Sequence, residues 1–418
     1  MPPLRVYLDS SDFSVLSDPR RGSTDLGPIL QQLRLWVENK QIICLFSGTH
    51  LSEMAPTNAS FADAAQRRAD LLVELCGRNV LISQDRLFAG ELQFALQLVE
   101  HPPIMLSSIG EWYPEIGDIF SPGPIEIPTK NIKDIINTSG MSRKVRRIAE
   151  RKAFKHGKPK AQLKATILSG ARTGSLEEIL QKYPMRPQDA RVLSRHAVGD
   201  ASAEEAMAAF EESLRDPRWM MQWFSTHHEQ LSPVIEWTRK PADILLTSIN
   251  EMAMHAALAR KIDAELGTSL ADEFYSLPKW MELQENMLVQ IATKLSENLS
   301  YKGAYTLTSE LINASCPGLS VGIKSLYRAW WTVTRCMPRR PKPSDFPDAL
   351  HAMYAPYVDI FRADSFMAPI INQYAWKFGT QIVPKLTALI PTIHKALQDE
   401  TYILNKRTLS TVAMSVHS

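Results

Sequence analysis

Short apolar runs alternate with segments of helical periodicity over the first 100 residues of the chain. Three runs, at 5–9, 41–46 and 79–83, have the length and apolar character of strands buried on both faces. Apolar residues recur at three- and four-residue spacing in the segments that follow them, at 27–39, 61–76 and 84–99. This βαβαβα order predicts a mostly parallel sheet with helices on both faces.

The pattern is helical alone between about residues 101 and 339, and the alternation resumes after Pro343. Strands are predicted at 358–361 and 380–383, and helices at 347–355, 365–377 and 386–398. We therefore predict one discontinuous α/β domain with a five-stranded sheet, formed by 1–100 and 340–418. A large all-α insertion domain, 101–339, interrupts it.

The composition is that of a soluble globular protein, with 44% hydrophobic and 22% charged residues. The net charge of +2 is too small to identify a polyanionic partner by itself. The four cysteines lack the spacing of zinc sites, which favours buried thiols. There is no run of about 18 apolar residues and no signal-sequence pattern, so we expect no membrane partner and a cytoplasmic location.

Acidic residues lie beside the predicted strands at one edge of the sheet. Asp9 ends the first strand, Glu53 opens the helix after the second, and Asp348 opens the helix before the fourth. Asp364 follows the fourth strand, with Asp359 as the alternative fourth acid. Because open parallel α/β sheets bind ligands outside the carboxyl ends of their strands, we expect these carboxylates to converge.

Converging carboxylates predict a bound divalent cation. Like charges repel one another and raise each other's pKa values unless a cation neutralises them. Mg²⁺ and Mn²⁺ are the expected ions, because both are hard cations that prefer oxygen ligands. In phosphodiester hydrolysis such ions activate an attacking water and stabilise the phosphate and the leaving oxygen.

Four segments resemble, in order and spacing, the successive motifs of PIN-like nucleases. They are VYLDSSDF at 6–13, SGTHLSE at 47–53, DFPDALHA at 345–352 and YVDIFRAD at 357–364. The resemblance covers fewer than half of the residues. It implies a three-layer α/β/α PIN-like fold and metal-dependent cleavage of RNA or another nucleic acid. It also implies catalytic and metal-binding roles for Asp9, Glu53, Asp348 and Asp364.

Supporting residues follow from the same resemblance. Ser11 matches the family's small polar residue two places after the first acid, and we expect it to orient Asp9 or a metal-bound water. Asp345 competes with Asp348 for a role at the start of their helix. Arg362 stands where many members carry Thr, and it would contact a phosphate or point to solvent.

Clustered basic residues predict a surface that binds nucleic acid, with RNA favoured over single-stranded DNA. The densest group lies on a predicted helix on which Val145, Ile148 and Phe154 would face a core. A solvated helix face without a ligand is the alternative explanation. The predicted nucleic-acid-binding residues are Arg143, Lys144, Arg146, Arg147, Arg151, Lys152, Lys155, Arg339, Arg340 and Arg362.

Structural explanations compete with this nuclease hypothesis. Individual acids could be turn or capping residues, and Asp345 with Asp348 could form only a helix cap. The sequence favours a packed or surface role for His351 over catalysis. A haloacid-dehalogenase-type phosphatase would need a second Asp where Ser11 stands. The main functional alternative is a non-catalytic PIN-like scaffold or regulatory protein whose helical insertion binds a protein partner.

Overall fold

The computed structural model describes helices around a small parallel sheet. The described residues are 2–20, 26–56, 58–114, 140–155, 158–161, 180, 183–197, 199–227, 233–299, 306–336, 342 and 344–399. Their strands are β1 (Leu4–Tyr7), β2 (Ile42–Leu45), β3 (Val80–Leu81), β4 (Leu106–Ser107), β5 (Phe154–Lys155), β6 (Lys158–Pro159), β7 (Ile360–Arg362) and β8 (Gln381–Val383).

Helices make up most of the remaining described structure. They are α1 (Ser10–Leu16), α2 (Gly27–Glu38), α3 (Gly48–Met54), α4 (Ala62–Cys76), α5 (Gln84–Ala95), α6 (Arg143–Ala153), α7 (Pro187–Ala197), α8 (Ala203–Leu214), α9 (Pro217–Thr226), α10 (Pro233–Leu266), α11 (Leu270–Phe274), α12 (Leu277–Asn298), α13 (Ser309–Ser315), α14 (Pro317–Cys336), α15 (Asp345–Ala352), α16 (Met367–Ala375) and α17 (Leu389–Gln398).

The main sheet has four parallel strands in the order β2-β1-β7-β8. Tyr7 of β1 pairs with Leu45 of β2 on one side and with Phe361 of β7 on the other. Phe361 is in turn aligned with Ile382 of β8. The α/β class and the parallel sheet are confirmed, whereas the expected count of five strands is wrong.

The predicted third strand, 79–83, accounts for the difference in strand count. It contributes only the two residues of β3, and a single parallel bridge joins Val80 to Phe46 just beyond β2. β3 pairs antiparallel with β4 instead. The ladder with β2 cannot continue because Ser83 is already the N-cap of α5.

One hydrophobic core joins the sheet to a helix from the middle of the sequence. Tyr7 and Phe361 belong to the same buried cluster as Val321 and Ala329 of α14. Tyr7 is fully buried because β1 is an inner strand covered on both faces. The helix α14 is therefore part of the core that supports the sheet.

Packing divides the chain differently from the expected insertion at 101–339. One unit comprises Met1–Pro114 and His228–Ser418, and the second comprises Glu115–His227. The helices of the second half of the predicted insertion belong to the sheet-containing unit, because α14 buries apolar residues in its core. Helical periodicity shows that a helix has a buried face but does not identify what covers that face.

A glycine lets α14 approach α15 closely. A Cβ atom at Gly322 would lie 3.2 Å from the Cβ of Met353 and 3.5 Å from the carbonyl oxygen of Ala349. A larger side chain at this position would push the two helices apart. Because α15 carries Asp345 and Asp348, this packing contact helps to fix their position.

Hydrogen bonds and ion pairs connect segments of the second unit. The indole N–H groups of Trp219 and Trp223 donate to the carbonyls of Pro184 and Leu180, at 3.0 and 2.9 Å. Arg186 forms ion pairs with acids of α7 and α8 and with the residue that caps α9, namely Asp189, Glu212 and Asp216.

Two expectations from composition concern thiols and membranes. Cys44, Cys76 and Cys316 are buried and free, as the cysteine spacing predicts. Within the described ranges, no helix combines the length and the apolarity needed to cross a bilayer.

Candidate functional site

The order of the strands reverses direction between β1 and β7. The sheet extends from β1 to β2 on one side and from β7 to β8 on the other. Such a reversal marks the place where open α/β sheets bind ligands. Asp9 lies two residues past the end of β1, and Asp364 lies two residues past the end of β7. Both acids therefore lie beyond the carboxyl ends of the strands on either side of this reversal.

Asp9 is held in place as the N-cap of α1. Its Oδ1 accepts a hydrogen bond of 2.7 Å from the backbone N–H of Ser11. Its own backbone N–H donates to Oδ2 of Asp12 at 3.1 Å, which completes a capping box. Ser11 thus contacts Asp9 through its backbone. The capping hydrogen bond to Oδ1 thus fixes the Asp9 carboxylate at the edge of the sheet.

Glu53 lies in the last turn of α3, whose N-cap is Ser47, and does not open this helix as the sequence predicts. Its Oε2 is 2.8 Å from Nε2 of His351 in α15. Burial raises the pKa of Glu53, but the hydrogen bond and charge of His351 and the hydroxyl of Ser10 outweigh it, so the net shift is downward. Glu53 is therefore held as a carboxylate.

Asp348 experiences the combined charge of the other acids. Its pKa is raised to about 9, first by burial and then by neighbouring negative charges. Those neighbours are, in decreasing order of effect, Glu53, Asp364, Asp9 and Asp345. The four predicted metal-binding acids are thus electrostatic neighbours.

The helix cap predicted for Asp345 takes a different form. Ser344 is the N-cap of α15, and its side chain makes no capping hydrogen bond. Asp345 is buried, and its Oδ2 accepts a hydrogen bond of 3.0 Å from the backbone N–H of Lys342. The hydrogen bond from Lys342 therefore accounts for the position of Asp345 but not for that of Asp348.

Asp359 and Asp364 lie at opposite ends of β7. Asp359 precedes the strand, and its Oδ2 accepts a hydrogen bond of 2.6 Å from the backbone N–H of Arg5 at the beginning of β1. Asp364 follows the strand, and its Oδ1 accepts from the backbone N–H of Met367 at 2.6 Å. Asp364, and not Asp359, is therefore the acid of this pair on the side of Asp9.

Arg362 is a buried partner of Asp12. Its Nη2 lies 3.2 Å from Asp12 Oδ1, and only 9% of the residue is exposed. It does not point to solvent, which was one of its two predicted orientations. Burial raises the pKa of Asp12 to about 7, although the guanidinium of Arg362 lowers it. This ion pair supports the start of α1 behind Asp9.

A buried polar network lies behind Glu53. Tyr7 OH is 2.6 Å from Nδ1 of His351 and 2.7 Å from Oγ of Ser47. His50 is also fully buried, and burial is the main reason that its pKa is lowered to about 3. The sequence favours a packed or surface role for His351, and the structure places it in direct contact with a predicted metal ligand. The signal in the sequence is its position three residues after Asp348, on the same helix face.

The predicted basic helix, α6, lies in the second unit. Val145 and Ile148, expected to face a core, are 46% and 47% exposed, whereas Phe154 is buried. The exposed basic residues of this segment are Arg143, Lys144, Arg147, Arg151, Lys152 and Lys155, with Arg146 partly buried. Arg339 and Arg340 lie outside the described residues.

The acids match the ligand chemistry of a hard divalent cation, but their side chains are not arranged as a metal site. Their donors are carboxylate oxygens, which Mg²⁺ and Mn²⁺ prefer. The raised pKa of Asp348 reflects burial first and then the negative charge of the neighbouring acids. Within the described part of the chain, however, no three His, Cys, Asp or Glu side chains are placed so that they could hold one ion. The carboxylates are close enough to affect one another electrostatically, but they are not positioned to coordinate one ion together.

Comparisons with known proteins identified no relative. No family model matches the sequence, and neither a curated protein nor a solved structure matches the chain.

Proposed function

We propose that this protein is a PIN-like, divalent-metal-dependent nuclease that hydrolyses phosphodiester bonds, with RNA as its favoured substrate. The observation that carries the proposal is the position of Asp9 and Asp364 beyond the carboxyl ends of adjacent parallel strands, on either side of the reversal in strand order. The electrostatic coupling of both acids to Asp348 supports it further.

The proposed ion is Mg²⁺ or Mn²⁺, held by Asp9, Glu53, Asp348 and Asp364. When bound, it would supply Lewis-acid stabilisation of the scissile phosphate and an activated water. The protein side chains contribute the surplus of negative charge that attracts the ion. Because the carboxylates do not form a ready ligand set, the proposal requires them to draw together around the ion.

The exposed basic residues of α6 support a nucleic-acid substrate. Lys and Arg side chains on one helix give non-specific, salt-sensitive affinity for phosphate backbones. Exposed Val145 and Ile148 on the same helix would add apolar contacts with bases or sugars. Single-stranded DNA remains the alternative substrate, because the basic helix offers no feature that reads a 2′-hydroxyl.

A second candidate function is favoured by a specific observation. Among the described residues, no metal-ready group of side chains exists. A non-catalytic PIN-like scaffold or regulatory protein, with its helical segments binding a protein partner, would need no such group.

Cleavage of matched labelled RNA and DNA oligonucleotides in Mn²⁺, in Mg²⁺ and in EDTA distinguishes these functions. We expect cleavage of RNA in the presence of either ion, and its loss in EDTA. Asp9→Asn and Asp348→Asn should abolish cleavage while the protein remains folded. Asp63→Asn, which removes an exposed carboxylate from the first turn of α4, is the matched control. Equal cleavage by the wild type and both site variants would refute the nuclease proposal.

A further inference from the structure

A chain of hydrogen bonds runs through the core and ends on Glu53. Oγ of Ser47 is 2.7 Å from the hydroxyl of Tyr7, and this hydroxyl is 2.6 Å from Nδ1 of His351. Nε2 of His351 is 2.8 Å from Oε2 of Glu53. Ser47 and Tyr7 are fully buried, and His351 is 5% exposed, so water does not compete strongly for these bonds.

The direction of the last bond follows from the chemistry of its acceptor. An ionised carboxylate can only accept, so Nε2 of His351 must carry a proton and donate it to Glu53. Nδ1 of the same ring bonds the hydroxyl of Tyr7, as an acceptor in a neutral imidazole and as a donor in an imidazolium. The hydroxyl oxygen of Tyr7 can in turn accept from Ser47.

His50 supports this direction at the other end of the chain. Its Nε2 is 2.9 Å from the carbonyl oxygen of Leu8, which can only accept, so Nε2 carries the proton. Its Nδ1 then accepts from the backbone N–H of Ser47 at 3.1 Å. Oγ of Ser47 is 3.3 Å from the same nitrogen but only 2.7 Å from the hydroxyl of Tyr7. The Ser47 hydroxyl therefore donates its hydrogen bond to Tyr7, because that bond is the shorter one.

The bond between His351 and Glu53 also connects two elements of the candidate site. Glu53 lies on α3, and His351 lies on α15 one turn after Asp348. The bond to His351 holds Oε2 of Glu53, and the hydroxyl of Ser10 also hydrogen-bonds this carboxylate. Residues that hydrogen-bond a metal-binding carboxylate in this way orient it and tune its affinity.

We infer that His351 is a positioning residue, which fixes Glu53 by donating from Nε2, and that Tyr7 holds the ring of His351 through Nδ1. This inference rests on the proposed function in one respect, namely that Glu53 binds a divalent ion. It assigns a role to two residues that the motif pattern alone leaves as core residues.

The experiment combines metal affinity with nitrogen NMR on the full chain. Mn²⁺ binding is measured by the EPR signal of the free ion for wild type, His351→Leu, His351→Gln and Tyr7→Phe. Tyr354→Phe is the matched control, because Tyr354 is also fully buried and donates its hydroxyl to a backbone carbonyl, that of Ile82. Long-range ¹H–¹⁵N spectra of the metal-free protein report which ring nitrogen of His351 carries a proton.

We expect His351→Leu to weaken Mn²⁺ binding about 10- to 100-fold. His351→Gln should recover most of the loss, because its amide can place a donor near the position of Nε2. Tyr7→Phe should weaken binding by less than His351→Leu and should disturb the His351 ring signals. Tyr354→Phe should bind Mn²⁺ as the wild type does, even if it lowers stability.

Several results would overturn the positioning role. They are an unprotonated Nε2 in the metal-free wild type, wild-type affinity in a folded His351→Leu variant, no rescue by His351→Gln, or no Mn²⁺ binding by the wild type. Failure of the nuclease proposal would look different. In that case the order of Mn²⁺ affinities would be as expected, but neither RNA nor DNA would be cleaved.

Discussion

Two acids of the same unit, the buried Glu91 and the partly buried Asp348, have raised pKa values in different surroundings. Glu91 accepts from the backbone N–H groups of Gly318 and Leu319, at 2.6 and 3.0 Å, and from the hydroxyl of Tyr357. Burial nevertheless raises its pKa to about 7. Glu91 thus supplies acceptors to the first turn of α14, where helical N–H groups have no partner in their own helix.

Asp348 has the opposite surroundings, because its neighbours are acids. Burial is again the largest cause of its shift, but the charges of Glu53 and Asp364 come next, and the pKa reaches about 9. The comparison teaches that a raised pKa does not by itself indicate a functional site. The charge and hydrogen-bonding capacity of the neighbours separate a helix-capping carboxyl from one that would be stabilised by a cation.

The largest expected difference between the two acids concerns activity. Asp348→Asn should abolish cleavage in Mn²⁺, yet raise the free energy of unfolding at pH 8 in EDTA by about 1–3 kcal/mol. The reason is that the folded-state pKa, about 9, lies above the unfolded value, so the stability contributed by the protonated carboxyl is lost as pH rises from the unfolded pKa through 9. Cleavage assays and urea denaturation measure the two effects. A variant that is less stable than wild type at pH 8 would contradict the stabilisation.

Substitution of the helix-capping acid, Glu91, should lower stability and leave metal binding unchanged. Glu91→Ala should lower the free energy of unfolding by about 2–4 kcal/mol, because two buried N–H groups lose their acceptor. The Mn²⁺ affinity of the folded variant should match that of the wild type. Glu74→Ala is the control, since Glu74 forms an exposed ion pair with Arg34 that is worth at most about 1 kcal/mol. Equal losses in the free energy of unfolding for Glu91→Ala and Glu74→Ala would contradict the capping role of Glu91.

The smallest effect concerns pH. The folded-state pKa of Glu91, about 7, exceeds its ordinary value of 4.5, so the folded protein binds more protons between these pH values. The stability contributed by this group is therefore present below pH 4.5 and is lost as pH rises through 7. Between pH 4.5 and 8 the wild type should lose roughly 1–3 kcal/mol more than Glu91→Gln. Parallel stability curves from urea titrations would show that Glu91 does not titrate in this range.

Local pattern was sufficient to predict much of the sheet. The runs at 5–9, 41–46, 358–361 and 380–383 correspond to β1, β2, β7 and β8, because strands buried on both faces are nearly continuous apolar segments. The run at 79–83 has the same character but is cut short by α5. Its length was decided by where the next helix begins, which an apolar run does not specify.

The candidate site was predictable only in part, since its neighbours are distant in sequence. The acids stand out because each lies beside a predicted strand, but the contact of His351 with Glu53 joins residues that are 298 positions apart. Glu91 had a weak local signal, as an acid four residues after Leu87 on the buried face of α5. An acid on an apolar helix face indicates a buried partner but does not identify it.

The pairing of β1 with β7 also affects when the fold can form. Arg5 and Asp359, which are hydrogen-bonded across these strands, are separated by 354 residues. At a synthesis rate of about 5–20 residues per second, roughly 20–70 s pass between their translation. A nascent chain therefore carries Asp9 and Glu53 long before Asp348 and Asp364 are made. The four acids can come together only after Asp364 has been synthesised.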